Sequence, residues 1–171
     1  VTRPTNGANY DLRRNTIETW LAAEPESLPV LDGPAAAVGI LAPHLLTAEG
    51  QPREEERIAV AALDSQHRVI DTKVLSVGSA RFTIVCPTTI YRWALTRSRP
   101  PAAIVMAHQH PSGSADPSKQ DEEVTHRMVA AGQTLGIPLL DHIIIGAAGR
   151  WTSLAARGVI QPPSRSVTYT S

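Results

Sequence analysis

Residues 102–121 read AAIVMAHQHPSGSADPSKQD, and their order decides how the chain is laid out. Ala102 to Ala107 is a short, continuous apolar run, the pattern of a central strand covered on both faces. It runs into His108 and His110, two positions apart. In extended backbone, residues i and i+2 point the same way, so both imidazoles can reach one ion. Pro111, Gly113 and Pro117 supply the backbone for a tight turn. Ser118 then opens a helix predicted to run to about Leu135, stopped by Gly136 and Pro138. Asp121 falls in the first turn of that helix, where its carboxylate can face back toward the strand end.

Two histidines and one carboxylate form a known catalytic zinc set, with a fourth position left for water. Zinc lowers the pKa of such a water to about 7. A second reading competes for the same residues. Ser118-Lys119-Gln120-Asp121 is also a plausible capping box, with Ser118 as N-cap and an acid at the third helical position. Capping alone would account for both side chains, and the two roles are compatible. In the chemical reading, the Ser118 hydroxyl is placed to donate to a developing oxyanion.

Working outward, Arg57 to Leu63 (RIAVAAL) reads as a buried strand and Arg68 to Ser76 as its hairpin partner across Asp64-Ser65-Gln66-His67. Phe82 to Val85 reads as a short strand. Thr88 or Thr89 can cap a helix through Leu95. Leu139 to Ile145 reads as a strand, Gly146 to Gly149 as a turn, and Trp151 to Leu154 as a final strand. Ala35 to Leu46 is apolar and alanine-rich, predicting a helix. Residues 1–34 are polar and broken by prolines, with a short helix expected over Asn15 to Ala23, and residues 161–171 form a Pro/Ser/Thr-rich tail. The expected domain is 35–160, with 1–34 as an extension. Strands mixed with two or three helices around one sheet predict an α/β fold of the segregated, α+β-like kind.

The bulk composition narrows the function classes. A chain of 171 residues suits one domain that buries a core without staples. Sixteen basic and sixteen acidic side chains cancel, so direct nucleic-acid binding has no electrostatic support. The lone Cys86 excludes an internal disulfide and also the Pro-Cys-x-x-Cys ligand pattern of a zinc deaminase. Cys86 itself reads as a packed thiol, and Trp93 and Trp151 read as core. No apolar run approaches the roughly 20 residues of a membrane span, and no secretory signal pattern opens the chain. The expected location is the cytoplasm.

The string His108-Gln109-His110-Pro111, then Pro117-Ser118 and Asp121, resembles the JAMM motif of the JAB/MPN metalloproteases: H-x-H, seven residues, Ser, two residues, Asp. It is most similar to the RadC-like bacterial branch, whose strings HNHPSG and PS..D appear here as HQHPSGSADPSKQD, followed by LLDHIIIG. ALDSQHRVID and the strand-then-helix order around CPTTIYRWAL resemble that branch too. The resemblance covers roughly Ala35 to Ile160.

It implies a mixed, curved β-sheet flanked by helices, in the JAB/MPN (cytidine-deaminase-like) architecture. It implies a zinc ion held by His108, His110 and Asp121, with Ser118 helping to stabilise a tetrahedral intermediate. It also implies an upstream glutamate as general base. Among Glu54, Glu55 and Glu56, the distance to Leu63-Asp64-Ser65 picks Glu56. Alternation lends modest support, since Glu56, Ile58, Val60 and Ala62 share one face; the plain alternative is a solvated start to the strand. Asp141-His142 could orient ligands, although a buried pair holding the sheet together is the preferred reading.

The expected function is a zinc metallopeptidase acting on a peptide or isopeptide bond. Its substrate would be a protein or peptide, a ubiquitin-like protein among the candidates. No membrane is involved, and there is room for a homodimer. The alternative is a RadC-type DNA-repair or mobile-element accessory protein acting through partners. The upstream helix-hairpin-helix region of full-length RadC proteins is not evident, which weakens a DNA-binding role.

Overall fold

The computed structural model describes residues 28–76 and 86–161. The helix expected over Asn15 to Ala23, the strand expected over Phe82 to Val85 and most of the C-terminal tail lie outside them. Along the chain run α1 (Pro34–Leu45), β1 (Arg57–Leu63), β2 (Val69–Ser76), α2 (Pro87–Leu95), β3 (Ala103–Gln109), α3 (Lys119–Leu135), β4 (Leu139–Ile145) and β5 (Trp151–Ser153). The strands form one sheet in the order β2-β1-β3-β4-β5. The β3–β4 pair is parallel, joined through α3, and the others are antiparallel. This is the mixed, curved sheet flanked by helices expected from the sequence.

The sheet is covered on both faces. Ala59, Ala61, Leu63, Val105, Ala107, Ile143 and Ile145 pack with Leu41 and Leu45 of α1. Ile58, Val60, Ile104 and Met106 pack on the other face against Ile90 and Tyr91 of α2 and Val124 and Met128 of α3. Alternation along each strand therefore assigns neighbouring side chains to opposite faces of the sheet. β1 and β3 are buried almost throughout, which explains why both read as continuous apolar runs.

Several boundaries differ from the sequence reading for local reasons. α2 starts at Pro87 with Cys86 as N-cap, ahead of Thr88. Proline suits the first helical position because its missing N–H has no partner there anyway. Cys86 is exposed rather than packed. Trp151 is also exposed, because β5 is a three-residue edge strand. β3 continues past Ala107 to Gln109, because β1 offers ladder partners to the end: Ile58 opposite His108 and Arg57 opposite Gln109. Arg97, just past α2, pairs with the buried Asp71 at 2.9 Å and lies over the Trp93 ring.

α2 and α3 are locked where Gly132 lets them close. The Tyr91 hydroxyl sits 3.1 Å from both the Met128 and the Ile137 carbonyl oxygens, and burial pushes its pKa up to about 12. A Cβ on Gly132 would run into Tyr91 Oη and lie 2.6 Å from the Ile137 carbonyl oxygen. In an ordinary exposed helix, alanine beats glycine by about 1 kcal/mol. Here the sign reverses: Gly132→Ala is expected to cost about 1–3 kcal/mol through overpacking, read as a lower urea midpoint with an unchanged slope.

Candidate metal centre

His108 occupies the penultimate position of β3, on the face shared with Ile58 and Met106, and is 2 % exposed. His110 lies just beyond the strand on the same side. The turn after it closes by a bond from Gly113 N–H to the His110 carbonyl, with Gly113 at φ 75°. The Gly113 carbonyl in turn accepts from Ala147 N–H and the Arg150 guanidinium, tying the loop to the β4–β5 turn. The contact is close: a Cβ on Gly146 would lie 2.7 Å from that carbonyl oxygen. Asp121 is the third residue of α3, whose N-terminus the same loop delivers to the strand end.

The three side chains converge. His108 Nε2 and His110 Nε2 are 2.9 Å apart. Asp121 Oδ1 lies 3.1 Å from His108 Nε2, and Asp121 Oδ2 lies 3.3 Å from His110 Nε2. Their ligating atoms all fall within 4.8 Å of one another. Two imidazole nitrogens facing each other and a carboxylate, half sealed from water, form the donor set a divalent cation takes, and two histidines with one carboxylate leave an open fourth position. Burial opposes the charge on Asp121. The hydrogen bonds to His108 and His110, the His108 charge and the Ser118 hydroxyl outweigh it and hold the carboxyl well below the usual carboxylate range. The hydrogen bond to Asp121, against partial burial, raises His110.

The capping box also forms. Ser118 Oγ accepts from Asp121 N–H at 3.2 Å, and Asp121 Oδ2 accepts from Ser118 N–H at 2.7 Å. The Ser118 hydroxyl donates to the same Oδ2 at 2.7 Å. Capping and convergence are therefore one arrangement: the bonds that start the helix also orient the carboxylate toward the histidines.

Of the three consecutive glutamates, Glu56 reaches the cluster, with Oε1 3.8 Å from His108 Nε2 and its side chain 41 % exposed. Glu54 and Glu55 are exposed. Extending the β1–β3 ladder by one residue sets Glu56 across from His110. Gln109 secures this segment from the opposite face of the sheet. Its buried amide donates to the Glu55 carbonyl at 2.6 Å.

Asp141 and His142 part company. Adjacent residues of β4 point to opposite faces, and Asp141 looks toward the α1 side. Its carboxylate accepts from Ser153 Oγ at 2.6 Å and from Ala155 N–H at 3.0 Å, joining β4 to the chain after β5. Burial raises its pKa against those bonds. His142 faces the cluster, with Nε2 2.8 Å from His108 Nδ1. Burial drives the His142 pKa well below that of a free imidazole. Its other nitrogen lies 2.6 Å from Thr125 Oγ1. The sequence reading missed Thr125, although it sits four residues after Asp121 and so on the same helix face.

Known proteins place this arrangement. Residues 32–159 match the family model described as the RadC-like JAB domain. A UPF0758 protein of Acaryochloris marina is 42 % identical over 132 residues, covering 77 % of this chain and 51 % of that protein. One from Trichormus variabilis is 39 % identical over 116 residues, covering 68 % of this chain and 45 % of that protein. One from the archaeon Methanosarcina barkeri is 39 % identical over 109 residues, covering 64 % and 46 %. The chain thus spans about half the length of the curated relatives it matches. The family match takes in α1, the whole sheet and all three converging side chains, and the chain belongs to the RadC-like JAB domain family.

Proposed function

We propose that this domain is a zinc-dependent hydrolase of a peptide or isopeptide bond in a protein substrate, a ubiquitin-like protein being one candidate. The observation that carries the reading is the meeting of His108, His110 and Asp121 with the Glu56 carboxylate at the rim of the same site. His108 Nε2, His110 Nε2 and the Asp121 carboxylate would hold the ion. When bound, zinc supplies a Lewis acid and a water that is acidic enough to ionise near neutral pH. Glu56 Oε1 would take the proton of the attacking water and return it to the leaving amine. Partial exposure leaves it free to swing between the two. Ser118 would turn its hydroxyl from Asp121 to the substrate's carbonyl oxygen as negative charge develops there. The bond from Ser118 N–H keeps Asp121 aimed during that rotation.

The second reading is a RadC-type DNA-repair or mobile-element accessory protein acting through partners. The comparisons speak for it more directly than for a protease, since the matching family carries the RadC name and the names of the relatives state no reaction. It fits the balanced charge, which favours action through a partner over direct contact with DNA. Among the described residues no helix is long and apolar enough to cross a membrane.

Two measurements test the lead reading. Titration is expected to give one zinc per chain, and a free zinc concentration 100 times Kd should stabilise the fold by about 2.7 kcal/mol. His108→Ala should remove both effects; a wild-type protein that takes up no zinc refutes the assignment. Glu56→Gln should retain zinc yet lose about 10²–10⁴-fold in kcat/KM on a cleavable ubiquitin-like fusion, while Glu55→Gln stays near wild type. A zinc-loaded wild type that cleaves nothing but captures a repair or recombination partner would favour the second reading.

A further inference from the structure

We infer that Thr125 and His142 form a directional hydrogen-bond relay that sets the tautomer of His108, and so decides which of its nitrogens is free to bind a metal ion. The inference rests on reading His108 as a ligand and adds two positioning residues behind it.

The direction of the relay follows from one short contact. Thr125 Oγ1 lies 2.6 Å from the main-chain carbonyl oxygen of Asp121. Two oxygens at that distance need a hydrogen between them, and a carbonyl can only accept. The Thr125 hydroxyl is therefore the donor, and its hydrogen is committed. Thr125 Oγ1 also lies 2.6 Å from His142 Nδ1, so in this second bond the oxygen must accept and Nδ1 must carry the hydrogen. His142 is 1 % exposed, and its two ring partners are the Thr125 hydroxyl and the His108 imidazole, neither of them a carboxylate. Such a ring is neutral, which leaves Nε2 bare. His142 Nε2 is 2.8 Å from His108 Nδ1 and accepts from it. With Nδ1 committed as a donor to His142, His108 has only Nε2, the nitrogen that faces His110 and Asp121, to offer a cation.

The reverse orientation shows what the threonine prevents. A hydroxyl donating to His142 Nδ1 would put the histidine hydrogen on Nε2. That hydrogen would point at His108 Nδ1 and push the His108 hydrogen onto Nε2, the position a cation needs. The relay starts from the backbone of Asp121 itself, so the helical turn that carries the third ligand also determines the state of the first. Thr125 is fully buried and lies in the interior of α3, where a threonine bonding back to the carbonyl four residues earlier gives little to helix stability.

The test uses the whole chain labelled with ¹⁵N-histidine. In the zinc-loaded wild type, ring ¹⁵N shifts should report hydrogen on Nδ1 and not on Nε2 for both His108 and His142. Hydrogen on His142 Nε2 overturns the relay without any substitution. Thr125→Val, which keeps the shape and removes the hydroxyl, should weaken zinc affinity about 10–100-fold in competition with a chelator and give mixed His142 tautomers. Thr125→Ser should restore both. Thr125→Val with wild-type affinity and an unchanged His142 spectrum sinks the proposal and leaves the hydrolase reading standing. A wild type that binds zinc with the expected tautomers but cleaves no peptide bond sinks the hydrolase reading and supports the relay.

Discussion

His108 stands in a strand flanked by neighbours on both sides, with 2 % of its surface exposed. Both its ring nitrogens need partners there, because an unpaired buried polar atom costs about 1–3 kcal/mol. One partner comes from β4 and the others from the loop and α3 beyond β3. That single requirement links the three parts of the domain that carry chemistry. The parallel β3–β4 pairing brings His142 beside His108. The crossover between those strands is α3, whose first turn holds Asp121. The antiparallel β1–β3 pairing sets Glu56 at the rim. Loss of any one of these pairings would separate groups that come from distant stretches of sequence.

The cluster does double service. The Ser118–Asp121 bonds satisfy the helix start, and the same carboxylate closes the triangle with the two histidines. Helix capping and ligand orientation are often treated as rival explanations for such residues. Here a carboxylate has enough lone pairs to accept from Ser118 and still face the imidazoles. Asp141, by contrast, spends its carboxylate on the other side of the sheet, where it stitches β4 to the segment after β5. Sequence neighbours in a strand serve different cores, so adjacency in a motif does not mean a shared task.

Much of this was legible before any coordinates. The apolar runs over 57–63, 102–107 and 139–145 matched strands because these are buried on both faces and need no alternation to be seen. The stop at Gly136 was legible because that residue takes a left-handed φ of 69°. The convergence of His108, His110 and Asp121 was legible because their spacing is local: two positions along one strand, then one turn into the next helix. Cys86 and Trp151 were misread because their type suggests burial while their exposure is set by a helix cap and a sheet edge. Thr125 and Gln109 were overlooked because their roles lie in contacts with His142 and with the Glu55 carbonyl, which no local pattern encodes.

The sequence by itself determined the elements, the loop that aims His110 and Asp121, and the residue types able to hold a divalent cation. These depend on local forces: strand burial, proline and glycine in the turn, and a capping serine at the helix start. Only the tertiary structure decided that His142 and not Asp141 backs His108, that Gln109 holds the Glu55 carbonyl, and which way hydrogen bonds run through Thr125. Those outcomes follow from strand register and from which side chains of β4 share a sheet face with His108, and register is set by the packing of whole elements.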